Sequence, residues 1–175
     1  GDRSSDLRGD PVDFVVVMRR FDQSDLLEKM AGAGALSAPL LYALSAHIAG
    51  FHEKAEQRPD RGGTAAMAEL VQTNIGVLRD CRSAGFAAAQ IDRLEDGLHG
   101  ELARQGGLLD ERRQAGKVRR CHGDLHLRNI CLVAGRPTLF DGVEFNRLIS
   151  NIDVLYDLAF LLMDLHIRGL DALGN

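Results

Sequence analysis

The sequence predicts an α+β domain in which helices dominate, and three observations lead there. Apolar residues recur at helical spacing over most of the chain between Ser37 and Gln105, and again near the C-terminus. A run rich in β-branched residues, Val12 to Arg20, precedes them. One β-hairpin pattern, Ile130 to Val133 with Pro137 to Phe140, follows them. With 175 residues, 45% of them hydrophobic, the chain can build one ordinary core. Trp is absent and aromatic residues are few, so that core must consist mainly of Leu, Val, Ile and Ala.

Residues 1–11 are polar and glycine-rich, lack an initiating Met, and read as a flexible N-terminus. Residues 12–24 begin with VDFVVVMRR, the best strand candidate of the first half. Asp25 as N-cap, with Glu28 reaching back, marks a helix start, and Ala31 to Gly34 stops that helix. Ser37 and Pro39 open the next helix, whose Leu40, Leu41, Leu44, Ile48 and Phe51 fall at helical spacing. Arg58 to Gly63 is a polar break. A further helix spans Thr64 to Arg82 with Met67, Leu70, Val71 and Leu78 inward. The segment from Ala87 to about Gln105 puts Ile91, Leu94, Leu98 and Leu102 on one stripe. Val118 leads as a short strand into a loop. A last helix, Ile152 to Arg168, is apolar almost all round and is expected to be buried.

The chemistry concentrates between Cys121 and Phe145, in CHGDLHLRNICLVAGRPTLFDGVEF. Ala134, Gly135 and Arg136 have the length and the glycine of a hairpin connection. Pairing centred on Gly135 places Asn129 opposite Asp141. Asp124 sits in the loop feeding the first strand. Two carboxylates and an amide should therefore gather at one end of the hairpin, and their oxygens are the ligands that Mg²⁺ prefers.

Other classes of function receive little support. A net charge of −4 leaves no basic footprint for nucleic acid. No apolar run approaches a membrane span, so no membrane partner is expected. Cys81, Cys121 and Cys131 have neither zinc-type nor CxxC spacing and read as free thiols in a reducing cytoplasm. His122-x-Asp124-x-His126 also suggests a zinc site, but His47, His52, His99 and His166 offer no matching motif.

The stretch resembles the catalytic core of kinase-like phosphotransferases. His122-Gly123-Asp124 and Asn129 match a His-x-Asp-x-x-x-x-Asn catalytic loop, and Asp141-Gly142 stands where kinases keep a metal-binding Asp. Gly123 and His126 point to the aminoglycoside phosphotransferase and choline kinase side. HGDLHLRN, FDGVEFN and IDVLYDLAFLLMDL are together most similar to bacterial aminoglycoside phosphotransferase-like proteins often fused to an ATP-binding domain. The specific match covers roughly Arg120 to Leu165.

The resemblance implies the large, mostly helical C-terminal lobe of a protein-kinase-like fold over residues 25–175, with a catalytic loop at 121–129 and a metal loop at 140–146. Residues 12–24 would be the last small-lobe strand and the hinge, bringing Met18, Arg19 and Arg20 to the nucleotide. Asp124 would be the catalytic base, with His126 near the transferred phosphoryl group. Asn129 and Asp141 would hold Mg²⁺ and ATP phosphates, and His122, Asp153 and Asp157 would brace the loop. The rest of the small lobe, with its glycine-rich loop and strand Lys, has no counterpart here. The chain therefore reads as a fragment inactive by itself, belonging to an ATP-dependent phosphotransferase that modifies a hydroxyl of a small molecule. The sequence between Asp141 and the helix expected from Asn151 is too short for a peptide-binding segment. The rival expectation is a catalytically silent kinase-like module that docks onto or regulates an ATP-binding partner domain.

Overall fold

A computed structural model describes residues 22–81 and 85–175. The strand expected at Val12 to Arg20, with Met18, Arg19 and Arg20, lies outside the described residues. The rest is an α+β arrangement, mostly helical, with two small antiparallel sheets. In chain order the helices are α1 (Leu27–Gly32), α2 (Ala38–Lys54), α3 (Gly63–Asp80), α4 (Ala88–Gln114), α5 (Arg147–Ser150), α6 (Val154–Ile167) and α7 (Asp171–Gly174). The strands are β1 (Val118–Arg120), β2 (Ile130–Val133), β3 (Arg136–Leu139) and β4 (Asn151–Asp153).

The first helix starts later than its acidic cap suggests. Asp22 accepts the Ser24 N–H at 2.9 Å and caps a 3-10 turn over Gln23–Asp25. Leu26 is then extended and bridges Cys131, so Asp25 is not the N-cap and α1 begins without a side-chain cap. Along α2 the buried stripe is Leu41, Leu44, Ile48 and His52, a run of helical spacing that ends on a polar residue. Helices α3 and α4 pack on each other through Val71, Ile75 and Ile91. Helix α4 runs on through Gly106 to Gln114. The bare Cα of Gly106 lets Thr64 pack against the helix, where a Cβ would lie 3.0 Å from Thr64 Oγ1.

The main core joins α1, α2, the segment between β1 and β2, and α6. It contains Leu27, Leu44, Leu125, Leu127, Ile130, Leu161 and Leu165. A second antiparallel pair, absent from the sequence expectation, is β1 with β4, in the register Val118 to Asp153 and Arg120 to Asn151. It shifts the start of the last helix to Val154. That helix is not buried all round, since Leu155, Met163 and Ile167 are at least half exposed. A short α5 also occupies what was read as uninterrupted loop after Asp141.

The hairpin forms where expected, with its register one residue away. Ile130 pairs with Leu139 and Val133 with Arg136, so Asn129 faces Phe140 rather than Asp141. The connection is a two-residue turn in which Ala134 (φ 50°) and Gly135 (φ 74°) are both left-handed. Such a primed turn matches the twist of the strands but needs positive φ twice, which alanine normally resists. Ala134→Asn should relieve that conflict and stabilise the chain by about 0.4–1 kcal/mol in chemical denaturation. A loss of stability would show that the turn is not of this type.

Candidate functional site

The segment from Asp124 to Arg128 is extended and then turns, and its side chains alternate. Leu125 and Leu127 are fully buried in the main core. Asp124, His126 and Arg128 stand on the open side, with 27%, 24% and 60% of their side chains exposed. A period of two in DLHLR thus presents three polar groups together on an apolar footing. A 3-10 turn over Leu127–Asn129 ends the segment and feeds β2.

Gly123 is required by the approach to this loop. Its φ is 81°, and a Cβ there would lie 3.1 Å from Val143 Cβ and 3.2 Å from the Ile149 carbonyl. Its conformation strains any side chain, and the neighbours would have to give by a few tenths of an ångström to admit one.

Asp124 and Asn129 are in direct contact. Asn129 Nδ2 donates to the Asp124 carbonyl and to Asp124 Oδ2, both at 2.8 Å. Both partners are acceptors, which fixes the orientation of the amide and leaves Asn129 Oδ1 turned away from Asp124. Arg128 donates to Asp124 Oδ2 at 2.9 Å, and His126 Nε2 lies 3.3 Å from Oδ1. Burial alone would push the Asp124 carboxyl up. The bonds from Arg128 and Asn129, with the Arg128 charge, outweigh it and hold the group below the ordinary carboxylate value.

Asp141 follows Phe140, whose N–H donates to the Asn129 carbonyl at 3.0 Å. It is exposed, left-handed at φ 59°, and its carboxylate makes no hydrogen bond or ion pair with another described residue. Positive φ on a non-glycine residue is a local cost that Asp tolerates better than most. The hairpin thus places the Asp141 backbone one residue beyond Asn129. An amide oxygen, Asn129 Oδ1, and the carboxylate of Asp141, which has no partner among the described residues, are hard donors at the same hairpin end and of the type that fits Mg²⁺.

His122 ties these pieces together. Its Nε2 donates to the Phe140 carbonyl at 2.8 Å, its Nδ1 accepts the Asp124 N–H at 3.3 Å, and its own carbonyl accepts Val143 N–H at 2.8 Å. It braces the loop before Asp124 against the segment from Phe140 to Val143 and does not face the open side.

Below the loop lies Asp157, on α6 and with no exposed surface. Its Oδ1 accepts the Gly123 N–H at 2.7 Å, and its Oδ2 accepts the His122 N–H at 3.2 Å and His52 Nε2 at 2.8 Å. Asp153 was expected to share this role and does not. It caps α6 by accepting the Leu155 N–H, and it takes both Nε and Nη2 of Arg112 at 2.7 and 2.8 Å. One turn of helix separates the two carboxylates, and only Asp157 lies beneath the loop.

Three further residues belong to the site. His52 reaches Asp157 from α2, and its signal was a histidine ending an apolar stripe. Asp164 accepts the Leu127 N–H at 2.9 Å and lies 3.6 Å from His126 Nδ1. Its signal was a place two turns after Asp157 on the same helix face. Arg128 is the third, and nothing but its neighbour Asn129 marked it.

His52, Cys121 and Asp157 bring ligand-type atoms within 4.8 Å of one another. Both carboxylate oxygens are committed to N–H donors, and burial, then the Asp157 charge, pushes the Cys121 thiol up to about 12. A protonated thiol donating to the Ile152 carbonyl is a poor metal ligand, so this cluster reads as a structural keystone. Cys121 and Cys131 are buried and Cys81 is exposed. A thiol reagent at neutral pH should therefore modify Cys81 promptly and the other two only on unfolding; rapid loss of the Cys121 thiol in the native state would contradict this burial.

A cleft of about 520 Å³ adjoins the loop after β3. It is walled by Phe51, Lys54, Arg120, His122, Phe140 and Gly142, among others. Helix α2, the end of β1 with the two residues after it, and the residues around the end of β3 line it, while α3 and α4 contribute nothing.

Uncharacterized proteins of Mycobacterium bovis and of two strains of Mycobacterium tuberculosis are each 31% identical to this chain over 174 residues. The match covers 98% of this chain and 35% of each relative, so the chain spans about a third of the length of the curated relatives it matches. No family model matches the chain. No solved structure matches it either.

Proposed function

We propose that this chain carries the helical catalytic lobe of a kinase-like, ATP- and Mg²⁺-dependent phosphotransferase that modifies a hydroxyl of a small molecule. The observation that carries the reading is the Asp124–Asn129 contact at the hairpin end. It leaves one amide oxygen turned away from Asp124 at the hairpin end from which Asp141 follows, and the Asp141 carboxylate has no partner among the described residues. The motif HGDLHLRN and the following FDG add to it by their resemblance to the aminoglycoside phosphotransferase and choline kinase group.

Asn129 Oδ1 and the Asp141 carboxylate would hold Mg²⁺, which when bound neutralises phosphate charge. Asp124 receives the acceptor hydroxyl by a hydrogen bond and orients its oxygen toward the γ-phosphorus. A bond forms from that oxygen to phosphorus as the bond from phosphorus to the β–γ bridging oxygen breaks, and the hydroxyl proton passes to Asp124. Positioning supplies most of the rate in such a step, which is why the loop is braced from below by Asp157 and from the side by His122. The helix α5 lies so close after Asp141 that an extended peptide has no bed, which favours a small acceptor. The additional length of the relatives fits an ATP-binding domain on the same chain. No helix among the described residues is long and apolar enough to cross a membrane, and free thiols suit the reducing cytoplasm, where ATP is abundant.

The full-length protein should transfer label from γ-labelled ATP to some member of a panel of sugars, amino-sugars, hydroxy-acids, amino alcohols and nucleosides, and not to mixed peptides. Robust peptide labelling with a silent panel would refute the small-molecule reading. No transfer to any acceptor would favour a silent regulatory module instead.

A further inference from the structure

Arg128 occupies a position that the phosphotransfer chemistry itself does not require. It projects from the open side of the loop, 60% exposed, and binds Asp124 Oδ2 through Nη2 alone. The same oxygen also receives Asn129 Nδ2, and His126 lies against Oδ1. Every oxygen of the proposed base is thus engaged by a neighbour of the same loop. A hydroxyl must displace one of these contacts to reach it, and Arg128, the most exposed of the three, is the one that can swing away.

The remaining N–H groups of Arg128 make no hydrogen bond to a described residue. Glu28 and Asp164 lie close enough to add to its field, but both are already held by Arg168, at 3.1 and 3.5 Å. Asp164 further accepts the Leu127 N–H. Among the described residues, the carboxylates whose charge acts on Arg128, those of Asp124, Glu28 and Asp164, are thus each already held by an arginine and are poor receivers of a cationic substrate. A planar guanidinium fork with open edges is suited to a carboxylate or phosphate held by paired bonds.

We propose that the acceptor substrate carries an oxyanion, a carboxylate or phosphate group, which Arg128 binds, and that this binding draws Arg128 off Asp124 and opens the carboxylate to the acceptor hydroxyl. The proposal rests on Asp124 being the substrate-facing base. It makes Arg128 a specificity-determining residue and assigns the site a hydroxylated anion, in contrast to the polycationic amino-sugars of the family it resembles. The exchange is an ion-pair swap with no covalent step.

The test is a titration of the isotopically labelled full-length protein with inorganic phosphate, glycolate and glucosamine. The signals followed are the Arg128 Nε–H and the Asp124 carboxyl carbon. Phosphate or glycolate should shift both signals together and saturably, the stronger of the two identifying the oxyanion class, while glucosamine moves neither. Arg128→Gln should weaken that binding about tenfold or more, and Arg128→Lys should recover part of it, as loss of a charge-assisted contact implies. Because the side chain is exposed, these variants leave the core untouched. Anion binding that is unchanged in Arg128→Gln, or no saturable shift at Arg128, overturns the proposal. Two outcomes separate it from the reading beneath it. Arg128-dependent anion binding without phosphotransfer to any acceptor refutes the enzyme and keeps the anion site. Undiminished transfer to an amino-sugar by Arg128→Gln keeps the enzyme and refutes the anion site.

Discussion

Replacement of Asp157 by alanine is expected to destabilise the chain by about 3–5 kcal/mol, a large share of what a domain of this size has. The carboxylate has no exposed surface and serves three donors: two loop N–H groups and His52 Nε2. Its removal leaves all three buried beside a cavity, and water cannot reach them without opening the loop. Asp157→Asn keeps the shape but turns one oxygen into a donor facing donors, so it should recover only part of the loss. His52→Ala removes a single donor and should cost less, about 1–3 kcal/mol. The two substitutions should be clearly non-additive in a double-mutant cycle, because they share one bond. Denaturant midpoints check this. An Asp157→Ala protein within about 1 kcal/mol of wild type would mean that the loop is not held from below.

Asp124→Asn in the full-length protein should lower turnover about 10²–10⁴-fold, the range for loss of a positioned proton acceptor. The amide is isosteric and its oxygen can still accept from Asn129 Nδ2, so the fold and the affinity for Mg²⁺-nucleotide should persist. A fall in nucleotide affinity with turnover intact would transfer the role of Asp124 from catalysis to binding.

The nearness of Asp124 and Asn129 at the end of a hairpin was readable in the sequence, because both the hairpin and the loop feeding it are local. The alternation in Asp124-Leu125-His126-Leu127-Arg128 is as local, yet it went unread, because the segment lies in a loop where no strand was expected. Gly123 and the Gly135 turn mark positive φ. Contacts across long sequence separations were not readable in the same way. His52 and Asp157 stand 105 positions apart, and helical periodicity alone assigns His52 to a core stripe without naming its partner. Asp153 and Asp157 look equivalent on a helix, yet the β1–β4 pairing turns the first toward Arg112. The hairpin register slipped by one because Ala134 adopts a left-handed conformation that a propensity-based reading avoids. The exposed face of α6 was missed because apolar content does not tell which neighbours are present.

The most direct measurement is paramagnetic broadening by Mn²⁺ with nucleotide, read on the isotopically labelled protein. The account predicts loss of the Asn129 side-chain amide and of the Asp141 and Gly142 backbone signals first, with Asp124 close behind. That pattern should vanish when Asn129 and Asp141 are replaced by alanine. Broadening centred on His52, Cys121 and Asp157, or no localised broadening, would contradict a metal–nucleotide centre at the end of this hairpin.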